Sequence, residues 1–158
     1  MEKIIEESVE LHVPAKVAYD QWTQFEKFSE FMAGVKEVRQ LDDAHLHWRA
    51  EVAGKVEEWD AEITEQIPGK RIAWRNTSGA HNSGVVTFHR LSDDSSRIML
   101  QMEYETAGLA ETIGDAIGLL RRRIAGDLTR FKNFIEQRPG ATGKWQGRIP
   151  SKDDLVGQ

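Results

Sequence analysis

The clearest pattern in the chain is an apolar stripe near its C-terminal end, in which hydrophobic residues recur at steps of four and three positions. The stripe runs through Leu109, Ile113, Ile117, Leu120, Ile124, Leu128, Phe131 and Ile135. Steps of this size keep side chains on one face of an α-helix, so residues 109–135 are predicted to form one long amphipathic helix. A helix of this kind needs an apolar surface to cover.

Between residues 35 and 105 the hydrophobic period changes to two, which is typical of half-buried β-strands. The predicted strands are residues 35–41, 45–52, 57–66, 71–77, 84–91 and 97–105, preceded by a first strand at residues 4–13. Short connections rich in Gly, Asp, Ser and Pro join the later strands. Neighbouring strands are therefore predicted to be antiparallel.

Two short helices are predicted between the first strand and the second. Pro14 fits the first turn of a helix, because the N–H that proline lacks would have no intrahelical partner there. The segment after Trp22 repeats an aromatic residue at every third position, at Phe25, Phe28 and Phe31. We interpret these aromatic side chains as core.

Alternation along the strands assigns one apolar face and one charged face to the sheet. Three tryptophans on successive strands, Trp48, Trp59 and Trp74, fall on the apolar face. Large flat side chains along a concave surface suit the binding of an apolar ligand. Plain core packing is the alternative interpretation of the same residues.

The sheet and the long helix are expected to enclose a ligand cavity. Its predicted lining is Trp48, Trp59, Trp74, Phe88, Met102, Tyr104, Ile113, Ile117, Leu120 and Ile124. The candidate polar contacts are Asn76, His89 and Arg123, although the strand that carries His89 has an ambiguous facing. Arg123 flanks the apolar stripe, where a solvated position or an ion pair with Asp127 is the alternative to ligand contact.

The composition excludes several kinds of site. A chain of 158 residues with 39% hydrophobic and 30% charged residues is expected to form one ordered domain. The absence of cysteine removes disulfides, thiolate nucleophiles and thiolate metal ligands. His45 and His47 share the charged face without a third strong ligand in register, so we predict no metal site and no cofactor.

Charge and hydropathy also narrow the choice of partners. A net charge of −5 disfavours nucleic acid, and no apolar run approaches the length of about 20 residues that spans a bilayer. The first residues are acidic where an export signal would be apolar, so a cytoplasmic location is expected. The sequence gives no indication of the oligomeric state.

The chain is expected to divide into a ligand-binding domain, residues 1–137, and a flexible C-terminal tail, residues 138–158. The tail is rich in Gly and polar residues, which is typical of mobile termini. Trp145 within it either docks on the domain or remains an exposed aromatic residue.

Taken in order, these elements predict an α+β helix-grip fold, in which a curved antiparallel sheet of about seven strands wraps around a long C-terminal helix. Several motifs are family-like: Trp22-x-x-Phe25-x-x-Phe28-x-x-Phe31-Met32, His47-Trp48, Trp59, Ile72-Ala73-Trp74 and the loop at residues 79–84. With them the chain resembles the START-like, birch-pollen-allergen-like (SRPBCC) superfamily, in its polyketide cyclase/dehydrase and coenzyme Q-binding branch. The resemblance covers about residues 3–136.

The resemblance implies a deep apolar cavity that holds a lipid, an isoprenoid quinone or a polyketide. Binding of such a hydrophobic small molecule is the first functional hypothesis. The alternative is a polyketide aromatase/cyclase-like or dehydratase-like enzyme, which would need an acid or base inside the cavity. The predicted inner face offers only Tyr104, Asn76 and His89 for that role, and no catalytic motif of the family maps onto the chain. A protein-interaction module acting through the short helices or the tail is a third hypothesis.

Overall fold

A seven-stranded antiparallel sheet and one long helix make up most of the molecule. The computed structural model describes residues 2–52, 54–79, 81–105 and 113–151. The strands are β1 (Glu2–Leu11), β2 (Val35–Asp42), β3 (His45–Val52), β4 (Lys55–Ile67), β5 (Arg71–Asn76), β6 (Asn82–Ser92) and β7 (Ser95–Glu105). The helices are α1 (Ala15–Trp22), a 3-10 helix (Phe25–Glu30) and α2 (Ile113–Glu136). The predicted start of the long helix, residues 109–112, lies outside the described residues.

The strands follow one another across the sheet in the order β1-β7-β6-β5-β4-β3-β2, and all neighbours are antiparallel. The first strand therefore lies beside the last, where Ile5 pairs with Met102. Chain neighbours pair from β2 to β7 because their connections are short. The predicted helix-grip fold is confirmed.

One face of the sheet is buried against α1 and α2, as the alternation predicts. Its apolar rows include the buried residues Leu46, Ala61, Ile63, Ile72, Val86, Ile98 and Leu100. The facing of β6 is settled by Val86 and Phe88, which are both buried. We call this buried side the inner face and the opposite, charged side the outer face.

The short helices supply an aromatic core at one end of the inner face. The Trp22 ring meets the rings of Phe28 and Phe131 edge-on, at centroid distances of 5.4 and 5.1 Å. Edge-to-face pairs of this kind stabilise by about 0.5–1.5 kcal/mol beyond the burial of their area. The C-terminal half of α2, which carries the buried Leu128 and Ile135, closes over this cluster.

Polar side chains of α2 fix the helix to the loop that follows the 3-10 helix. Asp127 accepts the N–H of Ala33 at 2.8 Å, and Nε of Arg130 donates to the carbonyl of Phe31 at 2.9 Å. Arg130 also forms an ion pair with Asp127. The predicted pair of Arg123 with Asp127 is wrong, because Arg130 and the Ala33 amide occupy the carboxylate.

Beyond α2, residues 138–151 contact the domain. Ile149 pairs with Gln66 through two backbone hydrogen bonds of 2.7 and 2.9 Å. The side chain of Gln21 donates to Thr142 Oγ1 at 2.9 Å and accepts the Thr142 N–H at 2.8 Å. These contacts assign a position to the segment, whereas its predicted flexibility and the division at residue 138 stay predictions.

In the part of the chain that the structure describes, no helix combines the length and the apolar character needed to cross a bilayer.

Candidate ligand-binding site

The inner face is tightly packed at one end and more open at the other. Phe88, at the packed end, is 7% exposed, and its ring lies 5.3 Å from that of Tyr19. Phe88 thus belongs to the aromatic core. Gly84 lies four residues away on the same strand, a distance of about 13 Å. At this open end the large side chains of Trp48, Trp59, Trp74, Met102 and Tyr104 are all only partly buried.

A stacked tryptophan pair forms one part of the open end. Trp48 and Trp59 are direct cross-strand partners on β3 and β4. Their rings are nearly parallel, at 7°, with centroids 5.9 Å apart. Phe28 lies 5.7 Å from Trp48 and so connects the pair to the aromatic core. Because Phe28 packs against the pair from the core, the two tryptophan rings are held in place as one broad apolar surface.

A second part is formed where Trp74 approaches Gly84 on the neighbouring strand. Trp74, Gly84 and Met102 lie in one cross-strand row. A Cβ atom at Gly84 would lie 2.6 Å from Cζ2 and 2.9 Å from Cη2 of the Trp74 ring. The indole therefore occupies space that any other residue at position 84 would fill. A glycine inside a strand pattern indicates such close approach.

Two polar residues lie beside these aromatics, Asn82 on β6 and Tyr104 on β7, and they are direct cross-strand partners. The Tyr104 hydroxyl donates to Sδ of Met102 at 3.4 Å. Burial raises the pKa of Tyr104 to about 12, although a hydrogen bond from Asn82 and the charge of Arg123 act to lower it. Sequence reasoning missed Asn82, because the predicted strand begins at residue 84 whereas β6 begins at Asn82.

The three predicted polar contacts have different positions. Asn76 pairs with the buried Ala61 and is partly buried on the inner face. His89 is exposed on the outer face, where its ring bonds Thr87 Oγ1 at 2.9 Å. Its proposed contact with the cavity is therefore wrong, because the inward position of Phe88 turns the next residue outward. Arg123 donates to the backbone carbonyl of Glu51 at 3.1 Å.

Among the described side chains of α2, those of the predicted stripe pack against the inner face. Leu120 is partly buried against the core, and Ile124 is 6% exposed. The side chains of Ile113 and Ile117 lie outside the described residues. Both positions belong to the first turns of α2.

Two surface cavities are formed by described residues. One, of about 360 Å³, runs along residues 29–36 beside Arg130. The other, of about 370 Å³, is lined by outer-face residues such as Ile4, Ala73 and Val85, together with Trp74, Gly84 and Met102. Neither of these two cavities is lined by a described residue from the N-terminal half of α2.

Seven antiparallel strands around one long C-terminal helix, with aromatic side chains left partly exposed on the inner face, define a protein of the helix-grip fold. The chain belongs to the family of polyketide cyclases/dehydrases and lipid transport proteins, whose family model matches residues 11–132. The resemblance drawn from the sequence is thereby confirmed, while the coenzyme Q-binding branch stays a prediction.

One relative and two solved structures are similar to this chain. An uncharacterized 17.2 kDa protein of Streptomyces lincolnensis is 50% identical over 146 residues, which cover 92% of this chain and 97% of that protein. The crystal structure of the ZhuI aromatase/cyclase of Streptomyces sp. R1128 superposes with a TM-score of 0.77 at 17% identity, covering 92% of this chain and all of that one (100%). A START superfamily protein of Mycobacterium smegmatis gives a TM-score of 0.73 at 13% identity, covering 85% and 97% of the two chains. Identities this low establish the shared fold alone.

Proposed function

We propose that the protein binds a hydrophobic small molecule between the open end of its inner face and the N-terminal half of α2. The observation that carries the proposal is the partial exposure of Trp48, Trp59 and Trp74 on a face whose other end is completely buried. Apolar side chains that stay exposed together on one part of a surface mark ligand-binding grooves or interaction sites. A ligand that covered about 150 Å² of them would contribute about 4 kcal/mol before ordering costs.

The expected ligand class is lipid, isoprenoid quinone or polyketide-like. The family description, which joins polyketide cyclisation or dehydration with lipid transport, supports this range. The tryptophan rings offer mainly apolar contact area, so they favour flat or flexible hydrophobic ligands and do not distinguish one particular molecule.

An aromatase/cyclase-like reaction in the same site is the second candidate, because Tyr104 and Asn82 place polar groups among the tryptophans. The fold shared with ZhuI is compatible with it. With its pKa raised to about 12, however, Tyr104 stays protonated at neutral pH and can donate a hydrogen bond but not accept a proton as a base. Binding therefore has more support than catalysis.

Titration with the neutral dye Nile red tests the proposal. Trp59→Ala removes half of the stacked pair, and we expect it to weaken Nile red binding about tenfold, equivalent to about 1.4 kcal/mol. Trp145→Ala is the matched control, because Trp145 is also partly buried but lies in the C-terminal segment against Gly147. It should leave the affinity unchanged. No binding by the unmodified protein, or equal weakening in both variants, would overturn the proposal.

A further inference from the structure

The pairing of Asn82 with Tyr104 puts two uncharged polar groups on an otherwise apolar part of the inner face. Both side chains share that face, because Val86 and Phe88 fix the inward register of β6 and Leu100 fixes that of β7. On the same face, the next residue along β6 is Gly84 and the next along β7 is Met102. The pair thus borders the tryptophan surface to which the ligand is assigned above.

The hydrogen bonds of this pair are incomplete. The Tyr104 hydroxyl has a thioether sulfur as its acceptor, at 3.4 Å, and such a sulfur is a weak acceptor. Asn82 is the direct cross-strand partner of Tyr104. Oδ1 of Asn82 is buried and has no hydrogen-bond partner among the described residues. Buried polar atoms in folded proteins nearly always have a hydrogen-bond partner. A ligand group that donates to Oδ1 of Asn82 would supply the missing partner.

The Tyr104 hydroxyl is a good donor that has only a weak acceptor, and Oδ1 of Asn82 is an acceptor without a donor among the described residues. A single ligand group that both accepts and donates a hydrogen bond would satisfy both atoms. An alcohol or phenol hydroxyl has this property. A carboxylate, an ether or a plain hydrocarbon cannot donate to Asn82. The guanidinium of Arg123, which would favour an anion, is hydrogen-bonded to the Glu51 carbonyl.

From this we infer that the ligand carries a neutral hydroxyl group, which accepts from the Tyr104 hydroxyl and donates to Oδ1 of Asn82. The inference rests on the proposed function and names the polar end of the same ligand. Rotation of the Tyr104 hydroxyl hydrogen away from Met102 makes the donor available without movement of the ring. Asn82 and Tyr104 then determine specificity, while the tryptophans supply affinity.

Competition between two naphthalenes for bound Nile red tests the inference. The quantity to measure is the ratio of the dissociation constant of 2-methylnaphthalene to that of 2-naphthol, which differ in one methyl and one hydroxyl group. Losing one neutral hydrogen bond should lower this ratio about fivefold in Tyr104→Phe, and similarly in Asn82→Leu. Tyr19→Phe is the matched control, since it removes a buried hydroxyl that bonds Gln66 in the core.

A ratio that falls in the Tyr104 and Asn82 variants, and not in the Tyr19 variant, supports the inference. Unchanged ratios, an equal fall in Tyr19→Phe, or failure of 2-naphthol to compete while Nile red binds would overturn it and leave the proposed function standing. If Nile red itself does not bind, both proposals fail. Tyr104→Phe keeps the ring and its packing, so the test does not depend on the more disruptive Asn82 change.

Discussion

At the scale of single residues, the inner face depends on a missing side chain at Gly84. The Trp74 indole lies so close to Gly84 that a Cβ atom there would overlap it, and the carbonyl of Gln101 lies 2.8 Å from the same point. The carbonyl belongs to the sheet backbone and cannot turn aside. A methyl group must therefore displace the indole, the strand or both.

Gly84→Ala is expected to lower the free energy of unfolding by about 1–3 kcal/mol, as overpacking of a core does. Gly118→Ala is the matched control. Its added Cβ meets nothing within 4 Å on α2, and alanine is the better helix former by up to about 1 kcal/mol. Chemical denaturation of both variants measures the two effects. Equal changes of the same sign would contradict the packing assigned to Gly84.

The facing of most inner residues could be predicted from the sequence, because a strand offers only two choices and buried neighbours make the choice. Trp48, Trp59 and Trp74 face inward for this reason. The role of Asn82 could not be predicted, since it depends on where β6 begins and on which residue of β7 lies opposite. The outward facing of His89 depends on the burial of Phe88, one position earlier, which the mixed pattern of β6 does not determine.

At the scale of elements, the hairpin of β3 and β4 carries a charge cluster on its outer face. His47 bonds Glu58 Oε1 at 2.9 Å and Asp60 Oδ1 at 2.7 Å. These hydrogen bonds, led by that of Glu58, raise the pKa of His47 above its usual 6.5. The same contact lowers the pKa of Glu58 below its usual 4.5. Each partner therefore favours the charged form of the other.

The stabilisation from protonated His47 is fully present below pH 6.5 and is lost as the pH rises through its raised folded-state pKa. The Glu58 contribution is present above pH 4.5 and is lost as the pH falls through its lowered pKa. Between pH 6 and 8 the unmodified protein should thus lose stability relative to His47→Gln. Denaturation across that range, with His89→Gln as a control, measures the difference, which salt should reduce. Parallel stability curves would contradict the assignment.

Elements with a clear period could be predicted well, since seven strands and α2 follow directly from steps of two and of three or four. Side-chain pairs between elements could not. Arg123 and Asp127 have suitable helical spacing, yet the loop near Ala33 and Arg130 occupy Asp127 instead. Spacing fixes which residues can meet, whereas tertiary neighbours decide which do.

At the scale of the whole molecule, one end of the inner face is a closely packed core and the other end is open. Phe131 and Ile135 are fully buried at the first end, whereas Trp48, Trp59 and Trp74 are partly exposed at the second. The fold could be predicted because its order of elements is distinctive. The identity of the ligand could not, because apolar surfaces distinguish ligands weakly.

Native mass spectrometry of the protein purified from its own organism tests the central claim most directly. The account predicts a bound molecule whose added mass belongs to a hydrophobic compound, and whose occupancy falls sharply in Trp59→Ala but not in Trp145→Ala. A spectrum with the bare chain alone, together with no uptake of Nile red, would contradict the claim.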